Sequence, residues 1–414
     1  MNGFSSLGNW RKCLLGVAAI IALPSFAFAG DRLAVFDEIA NKAQTQFFDP
    51  AMNGLDWERH VSRYRSRILS DMTPSAFSKD VNEMLAALGA SHTQLYVQDS
   101  PQWYQLAGVF LPGNKDLEGE LAPFLTDGAP IYTGIGINVE TRGTDTFVVG
   151  VLDGHPAQSA GVLTGDRIIS VEDRPYHPIR SFEGRAGKAS ELVIERRSGE
   201  LKSITVTPEI LDGRTMYEDA MRASIQLVKR DAARIGYIRA WSYAGQKYQD
   251  ILTGALLYGD LSTAEALVLD LRGGWGGANS SFLNFFTDQT VETTRIDRNG
   301  QRRSFSGSWT KPVVLLVDRQ SRSGKEVFAY GFRKLDRGPV VGETTGGAVL
   351  AGRINVLSDG SILYMAVADI RIDGIRLEGQ GVEPDVEVPF DPVFAAGSDP
   401  QLERALAIAK ELLG

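Results

Sequence analysis

Apolar residues in the first part of the chain recur at helical spacing: Ala34, Val35, Ile39, Ala43 and Phe47, then Phe77, Val81, Met84, Leu85 and Leu88. That three-to-four-residue period marks helices with one buried face and predicts a helical domain over 30–105. Residues 101–131 carry Pro and Gly without a sustained period, so a linker or cap is expected over 106–131. From residue 132 the pattern changes to short β-branched runs separated by turn residues. These runs are Gly134-Ile-Gly-Ile-Asn-Val, Thr146-Phe-Val-Val-Gly-Val, Arg167-Ile-Ile-Ser-Val, Glu191-Leu-Val-Ile-Glu-Arg and Ser203-Ile-Thr-Val. They predict a compact β-rich module over 132–212.

Farther on, strands and helices alternate. Ile235-Gly-Tyr-Ile-Arg, Ala266-Leu-Val-Leu-Asp-Leu and Val313-Val-Leu-Leu-Val read as buried strands, with helices expected near 245–258, 277–287 and 324–335. Such alternation predicts an α/β layer with at least partly parallel strands over 213–400, followed by an amphipathic helix over 401–414. The fold class is α/β, in several domains.

The extreme N-terminus has a different pattern. Arg11-Lys12 precedes an apolar run from Cys13, then Pro24 and Ala27-Phe28-Ala29, the order of a secretory signal peptide over 1–29. The run is short for a membrane span of roughly 20 residues, and Arg11-Lys12 occupies positions that a lipoprotein signal would fill with small apolar residues. Cleavage would leave no stable membrane span and would remove Cys13, the one cysteine among 414 residues. A chain without thiols, exported and therefore periplasmic or secreted, relies on its core and not on disulfides.

Composition narrows the chemistry. With 43 basic and 51 acidic residues the net charge is −8, so no general nucleic-acid footprint exists. The Gly-Lys pairs 187–188 and 324–325 lack the first glycine of a phosphate loop. The four histidines, His60, His92, His155 and His177, show no metal-ligand spacing, so neither metal nor cofactor is expected. Hydroxyl nucleophiles, carboxylates and these histidines remain for covalent chemistry.

Two strand ends carry unusual residues. Asp270-Leu-Arg-Gly-Gly-Trp-Gly-Gly runs from a strand into a glycine cluster whose N–H groups suit an oxyanion hole, though an ordinary strand-to-helix turn fits as well. Ser321-Arg-Ser-Gly-Lys-Glu leaves Ser323 at a helix N-terminus, where a serine is commonly an N-cap but where developing negative charge is also favoured.

These two segments, with Val340-Val-Gly-Glu-Thr-Thr-Gly-Gly and Gly379-Gln-Gly-Val-Glu-Pro-Asp in that order, resemble the C-terminal-processing (tail-specific) serine protease family. The resemblance covers about residues 80 to 390 and implies a crotonase- or ClpP-like catalytic layer. The β-rich module, with Gly134-Ile-Gly-Ile and Gly154-His-Pro-Ala-Gln-Ser-Ala-Gly, resembles a PDZ domain. It implies that Gly134, Ile135, Gly136 and Ile137 receive a peptide, through its C-terminus, as an added strand; a module that only props the site open or shut is the alternative.

Most members of that family pair the serine with a lysine where this chain has Ala348. The tricorn-like branch uses a histidine and a glutamate, and Leu88-Gly-Ala-Ser91-His92-Thr93 and Leu377-Glu378 match its segments. The resemblance therefore implies Ser323 as nucleophile, His92 as general base with pKa near 6.5, and Ser91 and Glu378 in support. Gly324 and Gly276 or Gly277 would hold the oxyanion. Lys325, one residue past Gly324, is expected to point away along its helix. Three other readings stay open: a Ser/Lys variant, an inactive peptide- or lipid-binding protein on the same scaffold, and an unrelated crotonase-type hydrolase. Oligomeric state and natural substrate are not legible.

Overall fold

The computed structural model describes residues 31–287 and 292–414. The signal-peptide reading of 1–29 falls outside these residues.

Three capped helices open the described chain: α1 (Arg32–Gln46), α2 (Trp57–Arg65) and α3 (Pro74–Ala86). Asp31, Asp56 and Thr73 each accept a hydrogen bond from a first-turn N–H, and Pro74 starts α3 where its missing donor costs nothing. A short strand, β1 (Gln94–Tyr96), follows. The stretch 101–131, read from its Pro and Gly content as linker or cap, holds two helices, α4 (Pro101–Phe110) and α5 (Lys115–Leu121). Pro101 begins α4 without breaking it, and Trp103, Leu106 and Ala107 bury its inner face completely.

The β-rich module comprises β2 (Ile131–Gly134), β3 (Ile137–Arg142), β4 (Asp145–Val151), the short α6 (Pro156–Ser159), β5 (Arg167–Val171), β6 (Arg174–Pro175), β7 (Ser190–Arg197), β8 (Glu200–Val206) and β9 (Glu209–Asp212). Its main sheet runs β3-β4-β5-β7-β8, which leaves β3 as an edge. Ile135, Val148, Ile168, Leu192 and Ile204 give it a core of its own.

Next come α7 (Met216–Ala223), β10 (Gln226–Arg230), β11 (Ala233–Arg239), α8 (Gln246–Leu257) and β12 (Ala266–Asp270). The hairpin β13 (Glu292–Ile296) and β14 (Arg302–Ser306) precedes β15 (Val313–Val317), α9 (Gly324–Lys334) and β16 (Val340–Gly342). The chain closes with β17 (Ala351–Val356), β18 (Ile362–Ala368), β19 (Val386–Glu387) and α10 (Pro400–Glu411). The central sheet, β10-β11-β12-β15-β16-β19, is parallel from β11 to β19. β12 and β15 are buried along their whole length, as continuous apolar runs in a covered parallel sheet require. In place of the helix expected near 277–287 a 3₁₀ segment spans Ser280–Phe286, capped by Asn279, whose side chain accepts from the Ser281 N–H.

One long-range pairing decides where the N-terminal helices go. β1 pairs antiparallel with β18, Leu95 opposite Leu363, and Phe36, Ile39, Phe77 and Leu85 share a core with Leu363 and Met365. The loop between α3 and β1, which carries Ser91 and His92, is thereby held against the α/β layer.

Candidate active site

The strand ends β12 and β15 present their loops side by side. Ser321 Oγ donates to the Leu271 carbonyl at 3.0 Å, and the Gly273 N–H donates to Asp318 Oδ1 at 3.1 Å. Gly273 and Gly274 both adopt positive φ, and a Cβ on Gly274 would lie 1.8 Å from the Trp241 carbonyl oxygen. No other residue fits there. Lys325, wholly buried, donates from Nζ to the carbonyls of Gly273 (2.8 Å) and Trp241 (3.1 Å) and so braces this loop from below. Burial pulls its pKa down to about 7.

Ser323 occupies φ 60° and ψ −128°, a conformation that costs a non-glycine residue about 1–3 kcal/mol. A sharp, strained turn of this kind lifts a side chain off the end of a strand into a cleft. Glu326 holds the turn. Its buried carboxylate accepts from Thr345 Oγ1 (2.6 Å) and from the N–H groups of Gly347 (2.7 Å), Ala348 (2.8 Å) and Ser323 (3.0 Å). Burial raises its pKa against these bonds. Sequence reasoning missed Glu326, although Ser-x-x-Glu at a helix start is capping-box spacing. Gly276 packs so closely that a Cβ there would be 2.6 Å from Ser323 Cβ, and one on Gly324 would be 2.4 Å from the Ala278 nitrogen. Of the glycines named for the oxyanion, Gly276 therefore lies against the serine, Gly324 follows it in the chain, and Gly277 packs on Ala244.

On the other side, Glu378 is 7% exposed and accepts four hydrogen bonds. The Ser91 N–H and Oγ donate at 2.8 Å each, Val349 N–H at 2.7 Å and Leu350 N–H at 3.2 Å. Ser91 Oγ also lies 2.8 Å from His92 Nδ1. A hydroxyl has one proton, and here it goes to the carboxylate. The Nδ1–H of His92 then donates to Ser91 Oγ, which leaves Nε2 with the free lone pair of a base. His92 itself adopts φ 54°, with its ring 5.2 Å from that of Tyr364.

A single peptide unit joins the two halves. The Ala348 carbonyl accepts from Ser323 N–H at 2.9 Å, and the N–H of the same peptide, that of Val349, donates to Glu378. Ser323, Ser91, His92 and Glu378 are thus brought into one cluster; Ser323 and His92 are not hydrogen-bonded to each other, a bond that commonly tightens only with substrate seated. Lys325 points beneath the glycine loop.

Burial, with Arg322 acting in the same sense and Glu378 against it, pulls His92 down to about 4, not the 6.5 expected from sequence. A general base must be neutral to accept a proton, so if His92 serves as one, kcat/KM is expected to hold at pH 5–6 and to halve near pH 4. A pH–rate profile, with folding checked by circular dichroism at each pH, measures this; a limb near about 6.5 would show an unperturbed histidine.

A cleft of about 430 Å³ runs between Ile137–Glu140 on the free edge of β3 and Trp275, Arg322 and Ala348 beside the serine, with Gln102 and Gln105 of α4 forming one wall. Of the four residues named for peptide binding, Ile137 lines this cleft. Ile135 is buried in the module, and Gly136, at φ 76°, presses on His155. Gly134 ends β2, paired with Glu209. Among the described residues no cluster could hold a metal ion, and no helix is long and apolar enough to cross a membrane.

Residues 234–388 match peptidase family S41 and residues 28–86 match the tricorn protease C1 domain. Tricorn protease homolog 1 of Streptomyces coelicolor is 26% identical over 91% of this chain and 35% of its own length. The carboxyl-terminal-processing protease of Picosynechococcus is 24% identical over 87% of this chain and 85% of its own. The chain thus spans about a third of the tricorn relative. The crystal structure of the tricorn protease superposes with a TM-score of 0.55 at 20% identity, over 93% of this chain and 37% of that one, which places the two in one fold.

Proposed function

We propose that this chain, a member of peptidase family S41 by its residues 234–388, is an exported serine endopeptidase that cleaves peptides or the C-terminal regions of proteins through a Ser323 acyl-enzyme. The observation that carries the reading is the relay from Glu378 through Ser91 to His92, which leaves Nε2 as the free base, while the Ala348–Val349 peptide links the Ser323 N–H to Glu378.

Ser323 Oγ attacks the scissile carbonyl as His92 Nε2 takes its proton. The N–H groups of Gly324 and of Gly276 or Gly277 receive the oxyanion, a contribution of about 3–4 kcal/mol per donor in such sites. His92 then protonates the leaving amine, and water, activated by the same imidazole, releases the acyl group. The β-rich module, PDZ-like in its Gly134-Ile-Gly-Ile segment, docks the peptide as a strand on the free edge of β3, which leads into the cleft. The Arg11-Lys12 and Ala27-Phe28-Ala29 signals support export to the periplasm or medium.

Fluorophosphonate labelling tests this reading. The folded protein is expected to take the label on Ser323 and heat-denatured protein to take none. Absence of label on folded protein that still binds peptides would favour the inactive binding protein.

A further inference from the structure

Among the described residues, Arg322 in the cleft has no carboxylate within ion-pair distance. Arg322 immediately precedes Ser323 and lines the cleft, its guanidinium carbon 4.8 Å from the centre of the Trp275 ring. Its guanidinium makes one hydrogen bond among the described residues, a long contact of 3.5 Å to the Gly274 carbonyl. Among the described residues neither Arg322 nor Arg319, which lines the same cleft, forms an ion pair with a carboxylate. The one acid on the cleft wall, Glu140, is engaged by Arg142 Nε at 2.8 Å. A cationic cleft in a chain of net charge −8 is local and therefore pointed at its contents. Stacking on an aromatic face leaves the edge of a guanidinium, with its paired N–H groups, free for two-point binding of a planar anion. The charge also reaches the catalytic group, since Arg322 is among the causes that lower His92.

We infer that Arg322, in the cleft that Arg319 also lines, is a carboxylate-binding subsite, so that the peptide is read for an anionic group beside the scissile bond. The inference deepens the peptidase reading and rests on it. Ser323 and Arg322 being consecutive, the bound carboxylate belongs to a residue flanking the cleaved bond, either an Asp or Glu side chain or the peptide's own terminus. Both sources present the same group to the guanidinium.

Internally quenched decapeptides in paired series test it, with Asp or Glu against Asn or Gln at each position and with free or amidated C-termini. The full chain is expected to cleave the best acidic peptide with kcat/KM about 10-fold above its amide partner, the discrimination given by one charge-assisted hydrogen-bonded pair. In Arg322→Gln that ratio falls to about 1, and Arg322→Glu shifts preference toward Lys at the same position. A preference that survives amidation assigns the side chain, and one abolished by it assigns the terminus. Wild type that takes the fluorophosphonate label yet treats the pairs alike, or Arg322→Gln that keeps the ratio, overturns the subsite and leaves the peptidase. Protein that neither labels nor cleaves overturns the peptidase; fluorescence polarisation of the same peptides on Ser323→Ala then decides the subsite by the same ratio.

Discussion

Ser323→Ala is expected to lower kcat/KM by roughly 10³-fold or more and to abolish fluorophosphonate labelling, while thermal denaturation shifts little. The turn is held by backbone and Glu326 contacts: Ser323 N–H to the Ala348 carbonyl and to Glu326, and Glu326 N–H back to the Ser323 carbonyl at 2.8 Å. None of these uses Oγ, whose capping-box contact from the Glu326 N–H is what alanine removes, at about 1 kcal/mol. Alanine carries the same positive-φ strain, so the folded states of the two proteins differ by one hydroxyl. Residual turnover from the oxyanion donors and from peptide binding should persist at a level far below wild type. Steady-state kinetics on a peptide substrate together with a melting curve check this. Full activity in folded Ser323→Ala would move the nucleophile elsewhere, and Ser91, the other serine of the cluster, would be examined next.

The elements that the sequence made legible are those whose signal is local. Val313–Val317 could be read as a buried strand because all five side chains are inside, and the motif around Ser323 because a strained turn needs small and polar residues in a fixed order. The cluster of Ser91, His92, Glu378 and Ser323 was legible through resemblance alone. Spacing could not supply it, since Ser91 and Glu378 are 287 residues apart and meet because β1 finds β18. That pairing depends on a shared core between α1, α3 and the β17–β18 hairpin, a tertiary choice that no local period announces. Helices α4 and α5 were hidden by Pro101 and the glycines around them, which act on composition but not on helix starts. Charge environment was the least legible of all. His92 looks like any histidine in sequence, and its fall to about 4 comes from burial beside Arg322, a neighbour that only the fold provides.

His92→Ala is the complementary test, with an expected loss of about 10²–10⁴-fold in kcat/KM, the contribution of a positioned general base. The alternative base is Lys325, one residue past Gly324, whose pKa of about 7 would suit proton abstraction at neutral pH. Its geometry speaks against that role, because Nζ donates to the Gly273 and Trp241 carbonyls under the loop and the residue has no exposure to the cleft. The two assignments separate in the pH profile. With His92 as base, Lys325→Met weakens the glycine loop but keeps the acid limb near 4, whereas His92→Ala loses the limb together with the rate. With a Ser/Lys dyad the outcome inverts: Lys325→Met removes turnover, His92→Ala leaves it, and the wild-type limb falls near 7, where the lysine gains its proton as pH drops. Glu378→Gln refines the choice, because an amide in place of the carboxylate can still accept from Ser91 but no longer stabilises an imidazolium. Its effect should fall on kcat, with KM little changed, if charge on His92 develops in the transition state.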